Sequence, residues 1–179
     1  MFEKRLKYAR IERERRFLLP ALPAQIDPGS GYQSIEDRYF SGTSLRLRRV
    51  TSPAGEVVEL KLNQKLPHEP QLATHRIITS VYLTEADYGL LSRLGGARLA
   101  KRRYRFAWRD VRFAVDLFQE ALDGLVLAEA EIESDALLES LPALPGRQIE
   151  VTADPRFRGA ALATEPAART LALASELLR

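Results

Sequence analysis

Charged and apolar residues alternate with a period of two along much of the chain, the pattern of strands that bury one face. Candidate strands are Ile11–Leu18, Gln33–Phe40, Ser44–Val50, Glu56–Leu62, Ala73–Tyr82, Leu99–Trp108, Val111–Phe118 and Leu125–Glu133. Pro53-Ala54-Gly55 predicts a hairpin, and Arg109-Asp110 and Asp123-Gly124 predict tight turns. Helical signals are fewer. Thr84-Glu85-Ala86-Asp87 reads as an N-cap with an acidic first turn, followed by an apolar stripe of Leu90, Leu91 and Leu94 and a stop at Gly95-Gly96. Ser134–Leu141 predicts a short helix ended by Pro142. Pro166 opens a C-terminal helix reaching Leu178, with Leu171, Leu173, Leu177 and Leu178 as its buried side. Eight strands with few helices predict a mainly β (α+β) chain that closes into an antiparallel barrel. No repeat, low-complexity tract or linker divides it, so residues 1–179 are expected to form one domain. In a closed barrel, the alternation decides what points inward.

The polar faces are unusual in composition. Glu12, Glu14 and Arg16 share one face of the first strand. Arg46 and Arg48 share a face opposite Leu45 and Leu47, and Lys61 shares one with Glu59 and Asn63. Lys101, Arg103 and Arg105 form a basic stripe, Arg112, Ala114 and Asp116 a mixed one, and Glu129, Glu131 and Glu133 an acidic one. Taken singly, each stripe reads as the wet face of a strand. Taken together they sort by sign, whereas solvated sheets mix signs to avoid repulsion. A polyphosphate would neutralise the basic strands. Carboxylates two residues apart suit a hard divalent cation such as Mg²⁺.

Composition narrows the chemistry. The net charge is only +3 across 179 residues, which argues against a long nucleic-acid partner. The chain has no cysteine, which excludes thiolate catalysis, disulfides and cysteine-based zinc sites and fits a reducing, cytoplasmic setting. Met1–Arg10 is basic without an apolar stretch, so no secretory signal is expected. No run approaches the roughly 20 apolar residues of a membrane helix. His68 and His75 read as loop and strand-surface residues rather than metal ligands, and Trp108 as a packing residue.

The ordered set of stripes resembles the CYTH proteins, also called triphosphate tunnel metalloenzymes, and within them the short bacterial single-domain type. Their signature on the first strand, Glu-x-Glu-x-Lys, is matched by Glu12-x-Glu14-x-Arg16. The resemblance continues through Leu45-Arg46-Leu47-Arg48, Leu60-Lys61, Arg76, Lys101-Arg102-Arg103-Tyr104 and Val115-Asp116-Leu117-Phe118. It ends with Gly124–Glu131 and Val151-Thr152-Ala153-Asp154-Pro155-Arg156-Phe157, and so covers nearly the whole chain in order.

The resemblance implies an eight-stranded tunnel barrel that binds linear triphosphates with Mg²⁺ or Mn²⁺. The family's activities include inorganic, thiamine and RNA triphosphatase and class IV adenylate cyclase, and its short bacterial members favour inorganic tripolyphosphate. Carried onto this sequence, Arg46, Arg48, Lys61, Arg76, Lys101 and Arg103 would bind phosphate. Glu12, Glu14, Glu129 and Glu131 would hold metal, Glu12, Glu14 and Arg16 would form the catalytic edge, and Asp116 would order the cations. Two positions depart from the pattern. Arg16 replaces the signature lysine, and Ile78 and Ser80 stand where acids often follow the arginine matched by Arg76. The expected function is metal-dependent hydrolysis of a triphosphate. The alternatives are a triphosphate- or polyphosphate-binding module with reduced catalysis, and an adenylate cyclase. The expected partner is a small-molecule triphosphate or polyphosphate, and not a membrane. The oligomeric state is left open, a homodimer being one reading.

Overall fold

Hairpin pairing of strands that follow one another builds most of the sheet. The computed structural model describes residues 8–69 and 71–179, so the basic run that opens the chain is described only from Tyr8 onward. The strands are β1 (Ala9–Leu19), β2 (Tyr32–Tyr39), β3 (Leu45–Thr51), β4 (Val57–Pro67), β5 (His75–Tyr82), β6 (Ala97–Trp108), β7 (Val111–Phe118), β8 (Val126–Ile132) and a short β9 (Ile149–Glu150). They pair in the order β5-β4-β3-β2-β6-β7-β8-β1, and β1 pairs back with β5, which closes an eight-stranded antiparallel barrel. β9 adds to β1 from outside that ring. At Arg109 and Asp110 both φ angles are positive, 46° and 64°, the handedness that matches the twist of the flanking strands.

β1 is central to closure. Its first half pairs with β5, from Ala9 opposite Thr79 to Arg13 opposite His75. Its second half pairs with β8, from Arg13 opposite Ile132 to Leu19 opposite Val126. Because side chains alternate, this register sends Glu12, Glu14 and Arg16 into the barrel and Phe17 and Leu19 outward.

The apolar core therefore lies outside the wall and at one end. Phe17, Leu19, Tyr104, Phe106, Phe113, Val115, Val126, Ala128 and Ala130 form one cluster with Leu144, with Leu22, Ile26 and Leu141 packed against it from the connections. In a second cluster, Leu18, Leu99, Phe118 and Leu127 of the strands meet Leu122, Leu125, Val151, Phe157, Leu162 and Ala174. The last four come from the C-terminal segment, which holds α3 (Gly159–Thr164) and α4 (Ala167–Leu177).

The helices differ from expectation in detail. α1 (Glu85–Leu91) has the predicted cap: Thr84 accepts from the Asp87 amide, and Asp87 closes a capping box. Its apolar stripe does not bury, since Leu90 and Leu94 remain 65% and 53% exposed. The helix ends at Leu91, short of Leu94, and none of its residues is buried. α2 (Asp135–Glu139) starts at the predicted Ser134 cap. α4 buries Thr170 and Ala174, with Leu171, Leu173, Leu177 and Leu178 half-buried around them. α3 and β9 are absent from the sequence reading. β4 runs on to Pro67, past the expected end at Leu62, and so carries Lys65 into the barrel. His75 is not a surface residue: it is buried, with Nε2 2.8 Å from Asp135 of α2. Among the described residues, no helix is long and apolar enough to cross a membrane.

Leu18 joins barrel wall to C-terminal segment and has no exposed surface. Leu18→Ala is expected to cost about 2–5 kcal/mol. Urea unfolding should show this as a lower midpoint at unchanged slope.

Candidate functional site

The inward stripes line one cavity of about 1210 Å³. Arg46 and Arg48 enter from β3, Lys61 and Lys65 from β4, Arg76 from β5, and Lys101 and Arg103 from β6. Glu12, Glu14 and Arg16 enter from β1, and Glu129 and Glu131 from β8. Every phosphate-binding and metal-ligating candidate from the sequence thus faces the same space. Asp116 sits behind the cations, 1% exposed.

Two buried carboxylates hold the cations in place. Asp37 of β2 accepts two hydrogen bonds from Arg48, both at 2.6 Å, and lies 3.6 Å from Arg46 Nε. Burial alone would push its carboxyl up, but Arg48 and Arg46 outweigh it and hold Asp37 well below the usual carboxylate range. Asp116 of β7 does the same for the cations of β6. It accepts from Arg103 Nε and Nη2, both at 2.7 Å, and from Lys101. Burial, with Arg103 alongside, pushes the Lys101 ammonium down to about 8 against the pull of Asp116. Tyr39 is half-buried, and desolvation of its hydroxyl together with the nearby Asp37 carboxylate pushes that hydroxyl up to about 12, so it stays protonated.

The acidic edge is braced in the same manner. Cross-strand register sets Arg16 opposite Glu129 and Glu14 opposite Glu131. The Arg16 guanidinium bridges the two strands: Nη2 donates to Glu14 at 2.7 Å and Nε to Glu129 at 2.9 Å. Its Nη1 donates to the Phe157 carbonyl at 3.2 Å. Arg103 also donates to Glu129 at 2.8 Å, Lys65 to Glu12, and Arg10 to Glu131. Burial would raise the Glu129 carboxyl, but Arg16, Arg103 and Lys101 hold it well below its ordinary value, so it remains a carboxylate. On β5, Ile78 is buried and lies opposite Arg10 and Lys65, adding no charge. Ser80 accepts from Asn63 at 2.7 Å. Among the described residues, no three His, Cys, Asp or Glu side chains are grouped to hold a metal ion.

Sequence reading passed over Asp37, Lys65 and Arg158, all of which bear on this cavity. Asp37 lies two positions from Ile35 and Tyr39 on the inward face of β2, and the acidic signal was one residue rather than a stripe. Lys65 was hidden by an early strand end. Arg158 comes from the turn before α3, to which no periodicity points.

No protein-family model matches the sequence, and no curated protein matches it. Solved structures do. A crystal structure of the hypothetical protein NE1496 matches with a TM-score of 0.57 and 24% identity, covering 87% of this chain and 99% of that one. A structure of the inorganic triphosphatase NE1496 matches with a TM-score of 0.55 and 22% identity, covering 85% of this chain and 93% of the other. A candidate adenylate cyclase from Bacillus halodurans matches with a TM-score of 0.53 and 15% identity, covering 78% of this chain and 95% of the other. At these identities the likeness is one of fold. The chain shares its fold with these structures, and its closed antiparallel ring of eight strands is the tunnel fold that the resemblance to the CYTH proteins implies.

Proposed function

We infer that this chain binds a linear triphosphate in the tunnel and hydrolyses it, with inorganic tripolyphosphate as the favoured substrate. The observation that carries this reading is the convergence of Arg46, Arg48, Lys61, Arg76, Lys101 and Arg103 on one cavity. Linear triphosphate is compact and carries charge along its whole length, which suits cations that line the wall from several strands. Similarity to the fold of the inorganic triphosphatase NE1496 agrees with that choice.

A divalent cation, Mg²⁺ or Mn²⁺, belongs to the proposal. The donor set fits it in kind: Glu14 and Glu131 are hard oxygen donors opposed across neighbouring strands, with Glu12 and Glu129 beside them on the same face. A three-acid cage is not needed, because Mg²⁺ is commonly held by one or two carboxylates together with waters and substrate phosphates. When bound there, the cation would neutralise phosphoryl oxygens and make a bound water more acidic.

The chain's own residues supply the rest. Arg48 and Arg103, fixed by bidentate carboxylates, present their remaining N–H groups to phosphate oxygens without reorganising. Burial excludes water and strengthens each of these contacts. Arg16 acts as a positioning residue that holds Glu14 and Glu129, since each of its three nitrogens already donates to a protein oxygen. Hydrolysis adds water across one P–O–P linkage and gives phosphate and pyrophosphate, a reaction that needs positioning and charge stabilisation rather than a covalent nucleophile. A second reading, binding with little turnover, is favoured by one observation: β5 offers Ile78 and Ser80 where a further acid would extend the metal edge.

A panel of tripolyphosphate, ATP, thiamine triphosphate and pyrophosphate, each with Mg²⁺, Mn²⁺ or EDTA, tests the proposal. Metal-dependent phosphate release from tripolyphosphate is expected, falling on the order of 100-fold in Glu14→Gln. Binding without release from any triphosphate would select the binding module, and cyclic AMP made from ATP would select a cyclase.

The shared site also predicts metal affinity. Calorimetric titration of Mn²⁺ should give weak binding to the protein alone and at least about tenfold tighter binding with a non-hydrolysable triphosphate present. Equal affinity in both titrations would place the metal site elsewhere.

Lys101 sets a pH dependence. Its ammonium is intact in mildly acidic solution, half lost at about 8 and gone well above it, so the phosphate-binding charge falls on the alkaline side. Phosphate contacts from Lys101 should therefore weaken between about pH 7.5 and 9.5. Lys101→Arg, which stays charged, should remove that loss from the pH profile of tripolyphosphate affinity. Identical profiles for the two proteins would remove Lys101 from the binding set.

A further inference from the structure

The sequence holds two histidines, and the fold brings them together outside the tunnel. His68 follows β4, which ends at Pro67, and His75 opens β5. Their ring centres lie 5.9 Å apart, with the planes tilted by 39°. Neither residue lines the tunnel cavity. His75 is opposite Arg13 in the ladder, so it points away from the inward pair beside it, Arg76 and Glu12. It is buried, and both of its ring nitrogens have partners: Nε2 stands 2.8 Å from Asp135 Oδ1, and Nδ1 2.8 Å from the Thr74 hydroxyl. His68 is less well served. Its Nδ1 is buried with no hydrogen-bond partner among the described residues, and the Glu69 carboxylate stands 3.8 Å away, beyond hydrogen-bond reach.

The partners of His75 set its tautomer. Hydrogen bonds from His75 and Arg13 hold the Asp135 carboxyl below its usual range, so it accepts and does not donate. In the neutral ring Nε2 therefore carries the proton, and the Nδ1 lone pair is left to accept, at present from the Thr74 hydroxyl. A histidine that ligates a metal through one nitrogen has the same arrangement, with its other N–H given to a carboxylate. The spacing of the rings agrees. With Zn–N bonds of about 2.1 Å, two imidazoles on one ion have ring centres roughly 5 to 6 Å apart. His68 and His75 already stand at that separation. A buried ring nitrogen without a partner is costly unless something completes it, and His68 Nδ1 is such an atom.

We propose that His68 and His75 form a second metal site, outside the tunnel, for a borderline divalent transition ion such as Zn²⁺, with Asp135 orienting His75 from behind. Imidazole suits such an ion, whereas Mg²⁺ takes oxygen ligands, so the two sites sort cations by ligand chemistry. Among the described residues, no third acid or imidazole is grouped with the pair to complete a cage, so water fills the remaining positions and the ion stays exchangeable. The ion closes the connection from β4 to β5, between residues 68 and 75. Next to His75, the Thr74 carbonyl accepts the Glu14 amide at 2.9 Å. Zinc there would stiffen the backbone beside the acidic edge without touching the tunnel groups. The proposal does not depend on the triphosphate-binding reading.

Calorimetric titration with Zn²⁺, on the untagged full chain as wild type, His68→Gln, His75→Gln, Asp135→Asn and Glu14→Gln, tests it. Glu14→Gln separates the two sites, because it alters the acidic edge of the tunnel and should leave this zinc affinity in place. His68→Gln and His75→Gln should each weaken zinc binding at least about tenfold, and the zinc-induced rise in unfolding temperature should vanish with it. Asp135→Asn, which removes the carboxylate behind His75, should weaken binding about tenfold to a hundredfold. Zinc-edge X-ray absorption of the loaded wild type should count two imidazoles on the ion. If His75→Gln does not fold, His68→Gln carries the comparison, since that side chain is 27% exposed and makes no hydrogen bond through Nδ1. Wild-type zinc affinity in His68→Gln overturns the site. So does a wild type that binds no zinc, or zinc binding that is lost in Glu14→Gln but kept in His68→Gln.

Discussion

Two buried carboxylates, Asp37 and Asp116, make this barrel possible. A small barrel ordinarily fills its interior with apolar side chains. This one fills it with guanidinium, ammonium and carboxylate groups, each of which would cost several kcal/mol if left alone away from water. Asp37 and Asp116 are 2% and 1% exposed and lie on β2 and β7, on either side of β6. Between them they fix Arg48, Arg46, Lys101 and Arg103. They neutralise some of the positive charge and stiffen what remains. They do not cancel it, because one carboxylate serves two cations in each case. The surplus is what an anionic ligand would meet.

That arrangement displaces the hydrophobic work to other places. The apolar faces of β1 and β6 to β8 look outward under the loops, and the end of the barrel is sealed by Phe157, Leu162 and Ala174. Stability is thus supplied by a shell and an end plug, and the interior is left free for charge. The C-terminal segment carries both roles at once. Phe157 seals, its carbonyl receives Arg16, and the next residue lines the cavity. Loss of packing in the plug and loss of order in the acidic edge are therefore coupled through one backbone turn.

The eight barrel strands were legible because alternation on a closed sheet is a strict constraint: Arg46 and Arg48 cannot face inward unless Leu45 and Leu47 face out. The segregation of charge by strand likewise located the cavity residues, which the barrel brings together. Three features escaped for physical reasons. Asp37 is a single acid whose role depends on being opposite Arg48, a register fact that no local pattern carries. Lys65 is on a strand whose later residues, Gln64 to Pro67, lack a β-prone composition and are held as strand by pairing with β5. Leu90 and Leu94 obey helical spacing, but the helix stops at Leu91 and both side chains stay exposed, so periodicity alone overstates packing in a helix of two turns.

Arg16 shows how a departure from a pattern can be read through geometry. A lysine at that position has one ammonium on a flexible stem. The guanidinium here reaches Glu14 on its own strand, Glu129 across the ladder and the Phe157 carbonyl beyond the sheet, using three different nitrogens. Neither carboxylate can swing without breaking a short contact, and the plug is tied to both. The Arg16 pKa is raised because Glu129 and Glu14 outweigh the effect of burial, so the group does not exchange protons. Proton chemistry is thereby lost at this position, and fixed orientation is gained. In a site where charge is placed before the ligand arrives, orientation is the larger share of what a residue can contribute.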